Sequence, residues 1–169
     1  SVNLLPMIKE VIADARITPQ DLSCIAVSKG PGSFTGLRIG VTIAKTLAHV
    51  LNLSVAPVPT LDALAYPLTG YRGLVCPILN ARKNEVYAGV YRGGEKLAGP
   101  MAVPMAELIK ILNQWDERIL FLGDGIEINR HEIETALKER GDYSSISVML
   151  PRGAAVAEIG MQMFKSGLT

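Results

Sequence analysis

The chain has 169 residues, of which 17 are basic and 16 acidic, so its net charge at neutral pH is +1. This near-neutral balance argues against a protein whose main task is tight, sequence-independent nucleic-acid binding, which requires a strong basic field. Apolar residues make up 49% of the chain and charged residues only 20%, so the composition favours a well-packed domain with some apolar surface left for a partner.

The cysteines and the hydropathy pattern indicate a cytoplasmic protein. Cys24 and Cys76 are isolated in apolar surroundings, which is typical of reduced, buried thiols. The longest apolar stretches are interrupted by charged residues or proline, so we expect no membrane-spanning segment. No charged and then apolar leader opens the chain.

The first half of the chain predicts alternating helices and strands. Apolar residues at helical spacing predict a helix over Val2–Ala15, and the run Leu22–Ser28 reads as a buried strand. A glycine-rich turn over Lys29–Gly36 leads into a long apolar helix, Leu37–Leu51. A second buried strand follows over Ser54–Val58.

The second half continues the alternation. Thr60 is predicted to cap a short helix, and two strands flanking the segment NARKN are predicted to pair antiparallel over Leu74–Leu79 and Glu85–Tyr91. The remaining elements are the helices Met105–Trp115, Glu127–Arg140 and Ala154–Phe164 and the strands Arg118–Leu122 and Ser145–Leu150. This pattern predicts an α/β fold with a largely parallel sheet. We expect a lobe boundary near Pro104, with lobes of residues 1–103 and 104–169.

An α/β sheet rarely begins with a helix. We therefore expect that the strand or hairpin preceding Ser1 is missing from this sequence, which would then be truncated at its amino end. The end of the sequence near Lys165 is similarly abrupt.

The segment GPGSFTGLRIG, from Gly30 to Gly40, is the most informative motif. Glycines between a strand and a helix can aim free backbone N–H groups at an anion. The candidate residues for such an anion or nucleotide site are Gly30, Gly32, Ser33, Thr35 and Gly36. The spacing does not match a P-loop. Two other interpretations remain: a tight turn in which Ser33 or Thr35 caps the helix, and a turn that docks a partner.

The following helix carries a row of small residues at every fourth position, namely Gly36, Gly40, Ala44 and Ala48. Such a row permits close approach of another helix. The other faces of this helix are largely apolar, so two packing arrangements remain open. The row can pack inside the subunit or form part of an intermolecular helix bundle.

Candidate catalytic groups are few. His49 and His131 are too widely separated for a two-histidine metal site. Asp124, between two glycines at the end of a predicted strand, suits a turn or a helix cap, and the alternative is that it holds a metal or a ribose. Five basic residues between positions 72 and 96 predict a solvated hairpin face or a weak RNA-facing patch: Arg72, Arg82, Lys83, Arg92 and Lys96.

Three blocks, SKGPGSFTGLRIGVTIAKTLA, VPTLDALA and NARKNEVYAGVY, resemble the TsaB (YeaZ) family in order and spacing. The resemblance implies an actin-like ATPase (ASKHA, ribonuclease H-like) fold that here lacks the first strands and their phosphate-binding motif. Asn80 stands where family members usually carry aspartate.

The resemblance also implies a function. Proteins of this family are non-catalytic partners of TsaD, the subunit that forms N6-threonylcarbamoyladenosine on tRNA, and a TsaE-like ATPase joins them. It further implies a homodimer when the subunit is alone, indirect contact with tRNA, and ATP or ADP only at the interface with TsaD. The first two helices would bind the partner through Leu4, Ile8, Val11, Ile12, Gly40, Ala44 and Ala48.

Two other function classes are distinguishable by experiment. A nucleotide-binding ATPase would use the loop from Gly30 to Gly36, whereas a peptidase would require a metal. The shortage of histidines argues against the peptidase.

Overall fold

The computed structural model describes residues 3–145 and 149–169. Their contacts group them into two compact units. The first unit contains residues 1–29, 33–58 and 156–169, and the second contains residues 30–32 and 59–155. The expected lobe boundary at residues 103/104 falls inside the second unit, since the segments on its two sides, Glu95–Pro104 and Met105–Leu112, contact each other.

The helices and strands follow one another along the chain in this order: α1 (Leu4–Asp14), β1 (Cys24–Gly30), α2 (Phe34–Leu51), β2 (Ser54–Pro59), α3 (Thr60–Ala65), β3 (Leu74–Asn80), β4 (Glu85–Arg92), β5 (Glu95–Pro104), α4 (Met105–Leu112), β6 (Ile119–Leu122), α5 (Gly125–Leu137), β7 (Gly141–Tyr143) and α6 (Gly153–Lys165). The α/β class predicted from the sequence is confirmed.

In the first unit, β1 and β2 pair into a two-stranded sheet that carries a helix on each face. A Cβ atom at Gly40 of α2 would lie 4.0 Å from the side chain of Val27, so α2 covers the face to which Val27 points. A Cβ atom at Gly160 of α6 would lie 2.3 Å from the Cβ of Ala26. Because neighbouring strand residues point to opposite faces, α6 covers the other face.

The second unit is built on a five-stranded sheet in the order β5-β4-β3-β6-β7. β3 pairs antiparallel with β4, and β4 pairs antiparallel with β5. The pairs β3–β6 and β6–β7 are parallel. The sheet is therefore mixed, and the expectation of a largely parallel sheet was wrong because the strand β5 had not been recognised. Large apolar side chains under 2% exposed, such as Ile78, Leu108 and Phe121, form the core between this sheet and helices α4 and α5.

Two local expectations need correction, and two strands were not predicted. Strand β5 contains Gly99, Pro100 and Pro104, which interrupt the alternation that identifies strands. Thr60 is the first residue of α3, and Pro59 occupies the cap position. The predicted strand at 145–150 lies partly outside the described residues, since 146–148 are not described, and its other residues form no strand. A short strand, β7, instead occurs earlier, at Gly141–Tyr143.

A polar cluster fixes β7 beside the start of β6. The Arg118 side chain donates from Nε to Asp142 at 2.8 Å, and the Tyr71 hydroxyl donates to the same carboxylate at 2.6 Å. The hydrogen bond from Arg118, and then that from Tyr71, lowers the pKa of Asp142 to about 2. This carboxylate therefore remains ionised at neutral pH and keeps both partners.

Candidate partner-binding surface

Helix α1 presents its apolar side chains to solvent. None of its 11 residues, all of which are described, is buried. Val11 is 67% exposed, whereas the other three predicted contact residues, Leu4, Ile8 and Ile12, are half-buried. Two further apolar residues outside the predicted contact set, Leu5 and Met7, are 47% and 58% exposed. Both lie beside the predicted apolar stripe of α1. Helical periodicity alone does not tell an exposed apolar residue from a buried one.

The small-residue row of α2 faces the interior of the first unit. Ala44 and Ala48 are each only 5% exposed, and Gly40 faces Val27 of β1. The burial favours the interpretation that the row packs inside the subunit, where small side chains let α2 lie close to the sheet. Gly36, at the start of the row, is exposed.

The outward face of α2 mixes polar and apolar side chains. Its exposed residues include Arg38, Thr42 and Lys45, so the helix is less uniformly apolar than its sequence suggested. Two apolar residues near its ends, Phe34 and Val50, are nevertheless 66% and 73% exposed. Both are additions to the set that the sequence identified.

An open groove of about 370 Å³ lies along this face. Its lining contains three polar and two branched apolar side chains: Thr35, Arg38, Ile39, Thr42 and Ile43. The guanidinium of Arg38 lies 5.4 Å from the centre of the Phe34 ring, within the range of a cation–π contact. The groove thus combines apolar surface with hydrogen-bonding groups, which suits packing against a helix.

The glycine-rich segment ends in a helix cap. The Oγ of Ser33 accepts from the backbone N–H of Gly36 at 3.4 Å, and the Ser33 carbonyl accepts from the N–H of Leu37 at 2.9 Å. The interpretation that Ser33 caps α2 is confirmed. Thr35 lies in the first turn and lines the groove. Gly30 has a φ of +112°, a conformation that favours glycine, and Gly30 and Gly32 belong to the second unit.

Asp124 links two elements of the second unit. It occupies the cap position of α5 but makes no side-chain capping bond there. Its Oδ1 instead accepts from the backbone N–H of Asn80 at 2.9 Å, and the Asn80 amide donates to the Asp124 carbonyl at 3.1 Å. The residue therefore fastens the end of β3 to the turn after β6.

The remaining candidates do not converge. Arg92 is paired with Glu117, Lys96 is paired with Asp62, and Arg72 and Arg82 lie beyond opposite ends of β3. Over residues 3–145 and 149–169, no three histidine, cysteine or acidic side chains are grouped closely enough to hold a metal ion. Over the same residues, no helix has the length and apolarity needed to cross a bilayer.

Replacing Ala44 with phenylalanine is expected to lower the stability of the chain itself. The side chain is 5% exposed, and overpacking a tight contact costs about 1–3 kcal/mol. For a chain of this size, that corresponds to a fall in melting temperature of roughly 2–12 °C. Thermal denaturation of Ala44→Phe beside Lys45→Phe, a change at the neighbouring exposed position, measures the difference. Equal melting temperatures for the two variants would contradict the inward orientation of the row.

Comparisons with known proteins agree on one family. The family model described as TsaD, tRNA N6-adenosine threonylcarbamoyltransferase, matches residues 1–163. The tRNA threonylcarbamoyladenosine biosynthesis protein TsaB of Bacillus subtilis (strain 168) is 37% identical over 96% of this chain and 72% of its own length. The protein of the same name from Buchnera aphidicola subsp. Schizaphis graminum is 33% identical, over 74% of this chain and 63% of its own length.

A solved structure supports the same assignment. YeaZ from Pseudomonas aeruginosa superimposes with a TM-score of 0.78 at 25% identity, covering 98% of this chain and 78% of that one. The architecture described above is accordingly the actin-like α/β fold. On sequence and structure together, the chain belongs to the TsaB (YeaZ) family.

Proposed function

We propose that this chain is a non-catalytic scaffold and activator subunit in the formation of N6-threonylcarbamoyladenosine on tRNA. In this role it binds a TsaD-like catalytic subunit through α1 and α2. The observation that carries the proposal is the exposure of α1, a helix of 11 residues none of which is buried although many are apolar. Apolar surface of this kind marks a site of protein association.

Each helix would contribute differently to this interface. Val11, with its neighbours Leu4, Ile8 and Ile12, supplies an apolar ridge on α1. The groove along α2 receives a ridge of the partner, in the manner of ridges-into-grooves packing. The small residues on the sheet-facing side of α2 set how closely this helix packs on its own sheet, and thereby the position of the groove. They are Gly40, Ala44 and Ala48.

The remaining proposals concern self-association, the ATPase, tRNA, nucleotide and the compartment. Because an exposed apolar helix favours self-association in the absence of its partner, the isolated chain would form a homodimer. A TsaE-like ATPase would join the complex, and tRNA would be contacted indirectly, since the charge of +1 provides little basic field. ATP or ADP would bind only at the interface with the TsaD-like subunit, and the proposed compartment is the cytoplasm.

The alternative of a nucleotide-binding ATPase at Gly30–Gly36 has less support. A phosphate at the amino end of α2 would use its free N–H groups, but the Ser33 hydroxyl already accepts from one of them, at Gly36. The chain also offers no lysine at P-loop spacing.

Reconstitution tests the proposed function. We expect tRNA modification by the TsaD-like and TsaE-like proteins of the same organism to require this chain, and the chain alone to hydrolyse neither ATP nor peptide. The readout is N6-threonylcarbamoyladenosine in digested tRNA, measured by mass spectrometry, and phosphate release by the chain alone. Modification at the same rate without the chain, or sustained ATP hydrolysis by the purified chain alone, would contradict the proposal.

A further inference from the structure

A second cavity, of about 510 Å³, is formed wholly by residues of the second unit. It lies beside the β3–β4 hairpin, against the first turn of α4 and one side of α5. Its lining includes three amides, two carboxylates and an apolar wall, namely Asn80, Asn84, Asn129, Glu85, Glu132, Pro104 and Ile128. The volume is within the range of pockets that hold organic ligands.

Two of the three amides, those of Asn80 and Asn129, are oriented by hydrogen bonds inside the chain. The Nδ2 of Asn80 donates to the carbonyl of Asp124 at 3.1 Å, and the Nδ2 of Asn129 donates to the carbonyl of Gly125 at 2.8 Å. The carbonyl oxygen of each amide therefore keeps its capacity to accept. The backbone N–H groups of Asn80 and Ala81 are also engaged, with Asp124 and Glu85. The pocket thus offers two carboxylates and these amide oxygens as acceptors.

The charge of the lining is negative. Among the described residues, Glu85 and Glu132 have no ion-pair partner within 4.0 Å, although Arg82 and Lys83 lie in the same hairpin as Glu85. The first turn of α4 borders the pocket and contributes about half a positive charge. Two full carboxylate charges outweigh it, so the pocket repels phosphate and attracts a cationic donor.

We propose that this pocket binds a guanidinium group presented by an arginine-bearing segment of a protein partner. The planar guanidinium has five N–H donors and can satisfy separate carboxylate and amide acceptors together. Ile128 is 76% exposed at the rim and, with Pro104, provides apolar surface for the aliphatic stem and a neighbouring side chain. This exposed rim favours a polypeptide over a small amine. A metal ion fits less well, because the described residues hold no cluster of three metal-ligating side chains.

The test is a nuclear magnetic resonance titration of the 15N-labelled chain with a blocked peptide, Gly-Arg-Leu-Gly. We expect saturable shifts confined to the β3–β4 hairpin, α4 and α5. The same peptide with citrulline, which is isosteric but neutral, should bind at least tenfold more weakly. No saturable shift with the arginine peptide, or equal binding of the citrulline peptide, would overturn the proposal. Agmatine binding as tightly as the peptide would overturn the assignment to a protein segment.

Matched variants locate the site. The double variant Glu85→Gln/Glu132→Gln is expected to bind the arginine peptide at least tenfold more weakly, whereas Glu127→Gln, on the same helix α5 but outside the lining, should bind as the parent chain does. Thermal denaturation checks that each variant is folded, and the exposed single change Glu132→Gln replaces the double variant if the latter unfolds. Unchanged binding in folded variants lacking the pocket carboxylates would refute the site.

Discussion

Replacing Val11 with glutamate is expected to weaken binding to the TsaD-like subunit about a hundredfold while the chain stays folded. The Val11 side chain is 67% exposed on α1, so a charge there remains hydrated in the free subunit. In the complex the carboxylate would be buried against an apolar surface without a partner, at a cost of a few kcal/mol. A loss of about 2.8 kcal/mol corresponds to the hundredfold change.

The matched control for this variant is Leu150→Glu. Leu150 is 68% exposed and also exchanges an apolar side chain for a carboxylate, but it lies in the second unit, outside α1 and α2. Calorimetry with the TsaD-like subunit should show a large loss of affinity for Val11→Glu and little for Leu150→Glu. Both variants should melt close to the parent temperature, since exposed substitutions usually change stability by about 0.5 kcal/mol or less. Parent affinity in Val11→Glu would place the partner surface elsewhere than on α1.

Replacing Gly123 with alanine is expected to destabilise the second unit strongly. Gly123 has a φ of +103°, and an added Cβ would lie 2.2 Å from the backbone carbonyl oxygen of Ile78. The strained backbone conformation costs about 1–2 kcal/mol, and the overpacking about 1–3 kcal/mol more. No side-chain rotation relieves the contact, because the backbone fixes the position of the Cβ atom and its partner is the backbone carbonyl of Ile78.

Thermal denaturation of Gly123→Ala is therefore expected to show a fall of roughly 4–20 °C. Gly153→Ala is the control, because a Cβ atom at that glycine at the start of α6 meets nothing within 4 Å. Alanine there should leave the melting temperature unchanged or raise it slightly, owing to its higher helix propensity. A melting temperature for Gly123→Ala within a degree of the parent would show that the turn after β6 adjusts freely.

The partner surface shows what helical periodicity predicts and what it leaves undecided. The spacing of Leu4, Ile8, Val11 and Ile12 identified α1 as an amphipathic helix, and its existence is confirmed. The same reasoning could not decide whether the row of Ala44 and Ala48 faces a partner or the subunit's own sheet. Small side chains suit both kinds of close packing, and only the position of β1 distinguishes them.

By itself, the sequence determined the elements and their class, because helical and strand periodicity and turn-forming residues act over short distances. The capping of α2 by Ser33 is local in this sense, and so is the β3–β4 pairing. The tertiary structure alone decided the mixed direction of the sheet, the covering of β1 by α2 and α6, and the link between Asn80 and Asp124. These features join residues that are far apart in the chain; Asn80 and Asp124, for example, are 44 positions apart. Their energies therefore depend on how distant segments pack, which no local pattern encodes.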